Sequence, residues 1–186
     1  MPCLCLDGVP IDQVSSWKSL GVYIDENLSW NTHIDQLSKK ISSGIGALKR
    51  IRSFVPPATL HSVFNSLVLP HFNYCSVVWD SCNITLSNQL QKLQNRAARV
   101  LTFSNFDSNV DDLFAKLGWR KLSIQRQTRK AITVFKSLHG LTPAYLSNLF
   151  TLGNGISYSL RESVNKLTVR TNFLKNSLSY SGAVLE

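Results

Sequence analysis

The sequence predicts a mainly α-helical fold: a helical bundle preceded by a small β-hairpin and followed by a loosely ordered tail. Three observations predict it. Apolar residues recur every three or four positions from Thr32 to His139, the spacing that gathers side chains on one face of a helix. β-Branched and aromatic clusters separated by Gly turns occur before Asn27. From residue 151 onward no strong period survives and the chain is rich in Ser, Asn and Gly, so a packed core is not expected there.

The elements follow in order. Residues 3–26 read as extended, with Leu4 and Leu6, a turn at Asp7-Gly8, and the run Leu20-Gly21-Val22-Tyr23-Ile24 before Asp25-Glu26-Asn27; one small hairpin is expected. Ile34, Leu37, Ile41, Ile45 and Leu48 form the stripe of a first helix from Thr32 to about Arg52. Pro56-Pro57 restart the chain, and Leu60, Val63, Phe64, Leu67 and Val68 give a second helix, interrupted or kinked by Pro70, with His71 to Trp79 as its continuation. A third helix spans Ser87 to Leu101 on Leu86, Leu90, Leu93, Ala97 and Leu101, and a short fourth spans Asp111 to Leu117, closed by Gly118. The fifth runs from Ser123 to His139 with Ile124, Thr128, Ala131, Phe135 and Leu138 inward and Arg126, Arg129, Lys130 and Lys136 outward.

Charge narrows the function classes. The chain of 186 residues carries a net charge of +9, and residues 36–136 alone hold fifteen Lys/Arg against four Asp. A basic segment that is otherwise patterned to fold suggests a polyanion partner, because each phosphate contact releases condensed counterions. No apolar run approaches the roughly 18 residues that span a bilayer, and Met1-Pro2-Cys3-Leu4-Cys5 lacks the pattern of a signal peptide; an intracellular chain with no membrane partner is expected. Cys3, Cys5, Cys75 and Cys82 have neither disulfide-scaffold density nor metal-ligand spacing and read as ordinary thiols. His33, His61, His71 and His139 stand singly, as packed or surface residues do.

No residue group reads as an active site. The acidic doublet Asp111-Asp112 lies between a polar loop and a helix, where early acids favour the helix N-terminus; it lacks the rigid hairpin and further carboxylate that a two-metal site needs. Gly44-x-Gly46 falls inside a helical period with neither a preceding strand nor a following Lys-Ser/Thr, so it reads as close helix packing, not as a phosphate loop. Trp17, Trp30, Trp79 and Trp119 could stack on bases but read as core or contact residues, and Trp79 and Trp119 sit beside apolar neighbours. The cations are the remaining candidates. Lys92, Arg96 and Arg99 fall within a sector of roughly 60° away from the third helix's stripe, and Arg126, Arg129 and Lys130 lie off the stripe of the fifth. Both sets are candidate nucleic-acid-binding residues.

Several segments carry a family resemblance. Lys18-Ser19-Leu20-Gly21-Val22-Tyr23-Ile24-Asp25, then Leu28-Ser29-Trp30 and His33-Ile34, resemble the segment just after the palm of reverse transcriptases of non-LTR, LINE-like retrotransposons. Leu69-Pro70, Tyr74 to Trp79 and Leu93-Gln94-Asn95-Arg96-Ala97-Ala98-Arg99-Val100-Leu101-Thr102 resemble that family's thumb. Leu117-Gly118-Trp119, Pro143-Ala144-Tyr145-Leu146 and Arg170 to Ser177 follow in the family's order. The resemblance implies a palm-end hairpin at 1–30, a polymerase thumb-like helical domain at 31–150 and a weakly ordered tail at 151–186. It carries over no catalytic residue: the palm aspartates and the magnesium they hold would belong to palm and fingers domains outside this sequence, which become expected partners. The chain is thus expected to hold no cofactor and to be no enzyme on its own, contributing weak contacts to the backbone of an RNA–DNA hybrid or duplex. The alternative, from another class, is a transposon-derived helical module that docks a protein partner, or a relic without function.

Overall fold

The computed structural model describes residues 5–150 and 177–183, and among them the fold is mainly helical with a small β-structured N-terminus. Where one hairpin is expected, two form. Strands β1 (Cys5–Leu6) and β2 (Val9–Pro10) pair antiparallel across Asp7-Gly8. Strands β3 (Ser16–Ser19) and β4 (Val22–Asp25) pair across Leu20-Gly21, with Ser19 opposite Val22 and Ser16 opposite Asp25. Both turns have two central residues at positive φ, 51° and 80° in the first and 46° and 86° in the second, which matches the twist of the flanking strands. Leu20 tolerates that conformation although it has a Cβ. Its carbonyl accepts a 2.6 Å hydrogen bond from the Tyr74 hydroxyl, which ties the turn to the helical body.

Asp25 organises the passage from β4 into the helices. Its carboxylate accepts from the backbone N–H of Ser29 at 2.8 Å, of Trp30 at 2.9 Å and of Asn27 at 3.2 Å, and from the Ser29 hydroxyl at 3.1 Å. Burial pushes the Asp25 carboxyl up, but these hydrogen bonds outweigh it and hold the group below the ordinary carboxylate value. Trp30, at φ 65°, then caps helix α1 (Asn31–Ile51). Its ring is buried, and its indole N–H donates to Ser81 Oγ at 2.9 Å.

The core lies between α1 and α4 (Ile84–Leu101), which make the most extensive helix–helix packing among the described residues. Ile34, Leu37, Ile41, Ile45 and Leu48 of α1 are buried, as their spacing predicts, against Leu86, Leu90, Ala97 and Leu101 of α4. Helix α2 (Pro57–Leu67) stops at Val68, and α3 (Leu69–Asn73) resumes with Pro70 near its start. Pro70 has no N–H, and its ring crowds the carbonyl four residues back, so the break precedes it. The expected continuation to Trp79 ends instead at Asn73, where Tyr74 leaves helical geometry; Cys75 follows at φ 49°. Trp79 then turns into the core and donates to the Tyr74 carbonyl at 2.9 Å.

Local signals set the remaining termini. Asn83 caps α4 by accepting from the Leu86 N–H at 2.9 Å. Asn109 caps α5 (Val110–Leu117), whose first turn holds Asp111 and Asp112 and whose end is Gly118 at φ 65°. Helix α6 (Leu122–Leu138) begins one residue ahead of the expected Ser123 cap. The short α7 (Ala144–Ser147) follows, and within the expected tail α8 (Leu178–Ala183) packs on α6. The rest of the tail, 151–176 and 184–186, lies outside the described residues.

The two glycines of α1 differ. A Cβ on Gly44 would come 2.8 Å from Val68 Cγ2, whereas one on Gly46 would meet nothing within 4 Å. Close packing therefore explains Gly44 alone. Gly44→Ala is expected to destabilise the fold by about 1–3 kcal/mol through overpacking, and Gly46→Ala to stabilise it by about 0.5–1 kcal/mol through helix propensity. Urea unfolding of the two variants checks the opposite signs.

Candidate nucleic-acid interface

Helix α6 is rotated relative to the expectation. Leu122, Arg126, Lys130, Val134 and Ser137 face the interior, while Ile124, Ile132 and Phe135 are exposed. Arg126 and Lys130 are 5% and 8% exposed, so their expected outward orientation is incorrect. The physical reason is Asp80, which the turn after Trp79 places under α6. Arg126 Nε donates to Asp80 Oδ1 at 2.7 Å, and Lys130 Nζ lies 2.6 Å from Oδ2. Arg126 Nη2 also donates to Ser87 Oγ at 2.6 Å, and its guanidinium sits 5.6 Å from the Trp79 ring centroid. Arg129 Nη1 donates to the Asn73 carbonyl at 3.2 Å and to Ser76 Oγ at 3.3 Å. This set stitches α6 to the 73–87 region and has little left to offer a ligand.

The α4 set is placed differently. Lys92 and Arg96 are exposed and Arg99 is half-buried. They line an open groove of about 830 Å³ together with Lys49 and Arg52 from the end of α1, Asn95, and Ser104, Asn105 and Phe106 from the loop after α4. No carboxylate lines it. Among the described residues none of these five cations makes an ion pair, and neither Arg96 nor Arg99 pairs with Asp80 or Asp107. Lys49, Arg52 and Phe106 did not emerge from the sequence as candidates. The available signal was a lone phenylalanine in the otherwise polar run Ser104 to Asn109.

The other candidates resolve as packing groups. His33 is buried between Trp30 and Trp79, with ring centroids 6.4 and 6.0 Å away. Burial, with the charge of Lys40, lowers its imidazole below the ordinary value, and Nδ1 accepts from the Tyr23 N–H at 3.4 Å. Trp119 stacks on Phe64 at 4.7 Å, whereas Trp17 is exposed and departs from the core reading. Cys5, Cys75 and Cys82 are free thiols; burial pushes the Cys82 thiol up, away from nucleophilic chemistry. Asp111 is exposed and lies 3.3 Å from Lys121. Among the described residues no group of three or more His, Cys, Asp or Glu is placed to hold a metal ion, and no helix is long and apolar enough to cross a membrane.

Comparison with known proteins gives a partial kinship. The chain is 22% identical over 104 residues to the probable RNA-directed DNA polymerase from transposon X-element of Drosophila melanogaster, covering 54% of this chain and 12% of that protein. It is 29% identical over 100 residues to the probable RNA-directed DNA polymerase from transposon BS of the same organism, covering 52% of this chain and 11% of that protein. No protein-family model matches, and no solved structure does. About half of the chain is thus related in sequence to a small part of transposon-encoded RNA-directed DNA polymerases.

Asp80 tests the structural assignment of the α6 cations. Asp80→Asn leaves two buried cations without a counter-charge and is expected to cost about 3–5 kcal/mol of stability. Thermal and denaturant melting check this; a variant as stable as the parent would show the ion pairs to be incidental.

Proposed function

We propose that this chain is a thumb and post-thumb region of a non-LTR retrotransposon reverse transcriptase, which holds the backbone of a template–primer duplex in the α1–α4 groove. The observation that carries this reading is the convergence of Lys49, Arg52, Lys92, Arg96 and Arg99 on one groove free of carboxylates. Phosphate contacts of this kind position a duplex and carry no sequence information, so the expected binding is sequence-independent and salt-dependent. The partial kinship to transposon-encoded RNA-directed DNA polymerases supports a polymerase context. In that context the catalytic carboxylates and their magnesium belong to a palm domain, and palm and fingers are the protein partners.

A second reading has its own support. The outer face of α6 exposes Ile124, Ile132 and Phe135 along one stripe, the kind of apolar patch through which a helical module docks a protein. Salt dependence separates the two, since apolar docking releases no condensed counterions.

Replacing Lys92, Arg96 and Arg99 together by Gln is expected to reduce the slope of log K against log salt for an RNA–DNA hybrid by up to about 3 units, at roughly 0.9 per phosphate contact, while melting stays unchanged. The matching α6 triple, Arg126, Arg129 and Lys130 to Gln, is expected to melt lower. An α4 triple that melts lower but binds with an unchanged slope would make those cations structural and remove the proposed site.

The purified chain is also expected to show no primer extension on any template with magnesium or manganese, because the acidic doublet Asp111-Asp112 lies in the first turn of α5 with Asp111 beside Lys121, an arrangement unlike a two-metal site. Nucleotide incorporation above a protein-free control would contradict this.

A further inference from the structure

The groove has one feature that backbone binding does not use. Phe106, on its wall, is 86% exposed, and the Arg99 guanidinium lies 5.2 Å from its ring centroid. A phenyl ring left in water beside a row of cations gains nothing from a phosphate and nothing from the core. The end of α4 shows the same combination again. Phe103 occupies the left-handed position after the helix, at φ 54°, and the Ser104 N–H closes the turn on the Arg99 carbonyl at 3.0 Å. Glycine ordinarily fills that position, because a Cβ there is strained. Here a half-exposed phenylalanine holds it, with the Arg52 guanidinium 5.4 Å from the ring centroid. Two aromatic–arginine pairs therefore adjoin the groove, one of them at the cost of backbone strain, and an observed outlier of this kind is a legitimate pointer to function.

We infer that Phe106 and Arg99 form a stacking platform for an unpaired nucleobase, so that the groove takes single-stranded nucleic acid beside or in place of a duplex. The inference rests on the nucleic-acid reading of the groove and adds the kind of strand it accepts. In a duplex each base face is covered by its neighbours, and only groove edges and phosphates face the protein. An unpaired base has open π-faces, which stack on aromatic rings and arginine planes without regard to sequence. The arginine sits over the ring while its neighbours Lys92 and Arg96 are free to follow the phosphates. Among the described residues Arg99 makes no ion pair, so its guanidinium is not committed to a carboxylate.

The test uses the full chain with two probes, a single-stranded oligonucleotide of about 12 residues, within the site size of single-strand grooves, and a blunt-ended duplex of the same length. Phe106→Ala is expected to weaken single-strand binding by about tenfold or more and to leave duplex affinity, salt slope and melting temperature unchanged. An abasic strand of the same length is expected to bind the parent protein as weakly as the oligonucleotide binds Phe106→Ala. Equal losses on both probes, or no loss on either, would overturn the platform. If the salt slope nevertheless persists, the phosphate-binding groove stands without it; if binding is independent of salt for both probes, the groove reading falls as well.

Discussion

The orientation of α6 depends on a single carboxylate. Asp80 lies beneath the helix and accepts one cation on each oxygen, Arg126 at 2.7 Å and Lys130 at 2.6 Å. A carboxylate enclosed by protein is tolerable only when it is paired and hydrogen-bonded, and the i, i+4 spacing of these two residues delivers both partners from one helical face. Once that face turns inward, Ile124, Ile132 and Phe135 must turn outward. The same pairing takes Asp80 out of reach of the α4 arginines, whose row stays unneutralised along the groove. One ion cluster thus sorts the chain's cations into those that hold the fold and those that remain available.

The groove itself is a product of helix packing. The groove cations at the end of α1 and on α4 lie 40 to 50 positions apart in sequence, yet the burial of Ile41, Ile45 and Leu48 against the α4 stripe brings the basic end of α1 beside the outer row of α4. Together the two helices put five cations on one groove. The loop after α4 completes the site because the left-handed turn at Phe103 reverses the chain and sets Phe106 on the groove wall.

What could be read from the sequence divides along the same line. The α1 stripe, the Gly118 end of α5 and the α4 row rest on local sequence signals, and the structure keeps them; the Asn109 cap of α5 is added by the structure. The α4 row was visible because Lys92, Arg96 and Arg99 share a helical sector whatever the helix packs against. Misreading α6 had a definite cause. Periodicity ranks isoleucine and phenylalanine as inward, and the partner that reverses the ranking is 46 residues away from Arg126. Lys49, Arg52 and Phe106 were missed for a related reason: they join the site only through the contact of α1 with α4 and the turn that follows. At the N-terminus Asp7-Gly8 and Leu20-Gly21 each look like a turn within a single extended stretch, and no local signal says that each closes its own pair of strands.

The reversed face of α6 also changes what the helix can tolerate over time. In an ordinary amphipathic helix the apolar stripe is held by selection for stability and the polar face drifts. Here a polar replacement at Ile124 or Ile132 falls on a half-exposed surface, whereas a loss of charge at Lys130 is felt at once by Asp80. Selection for folding therefore falls on the charged positions of α6, and a record of which residues resist change along it would look like that of a binding surface while reporting the interior.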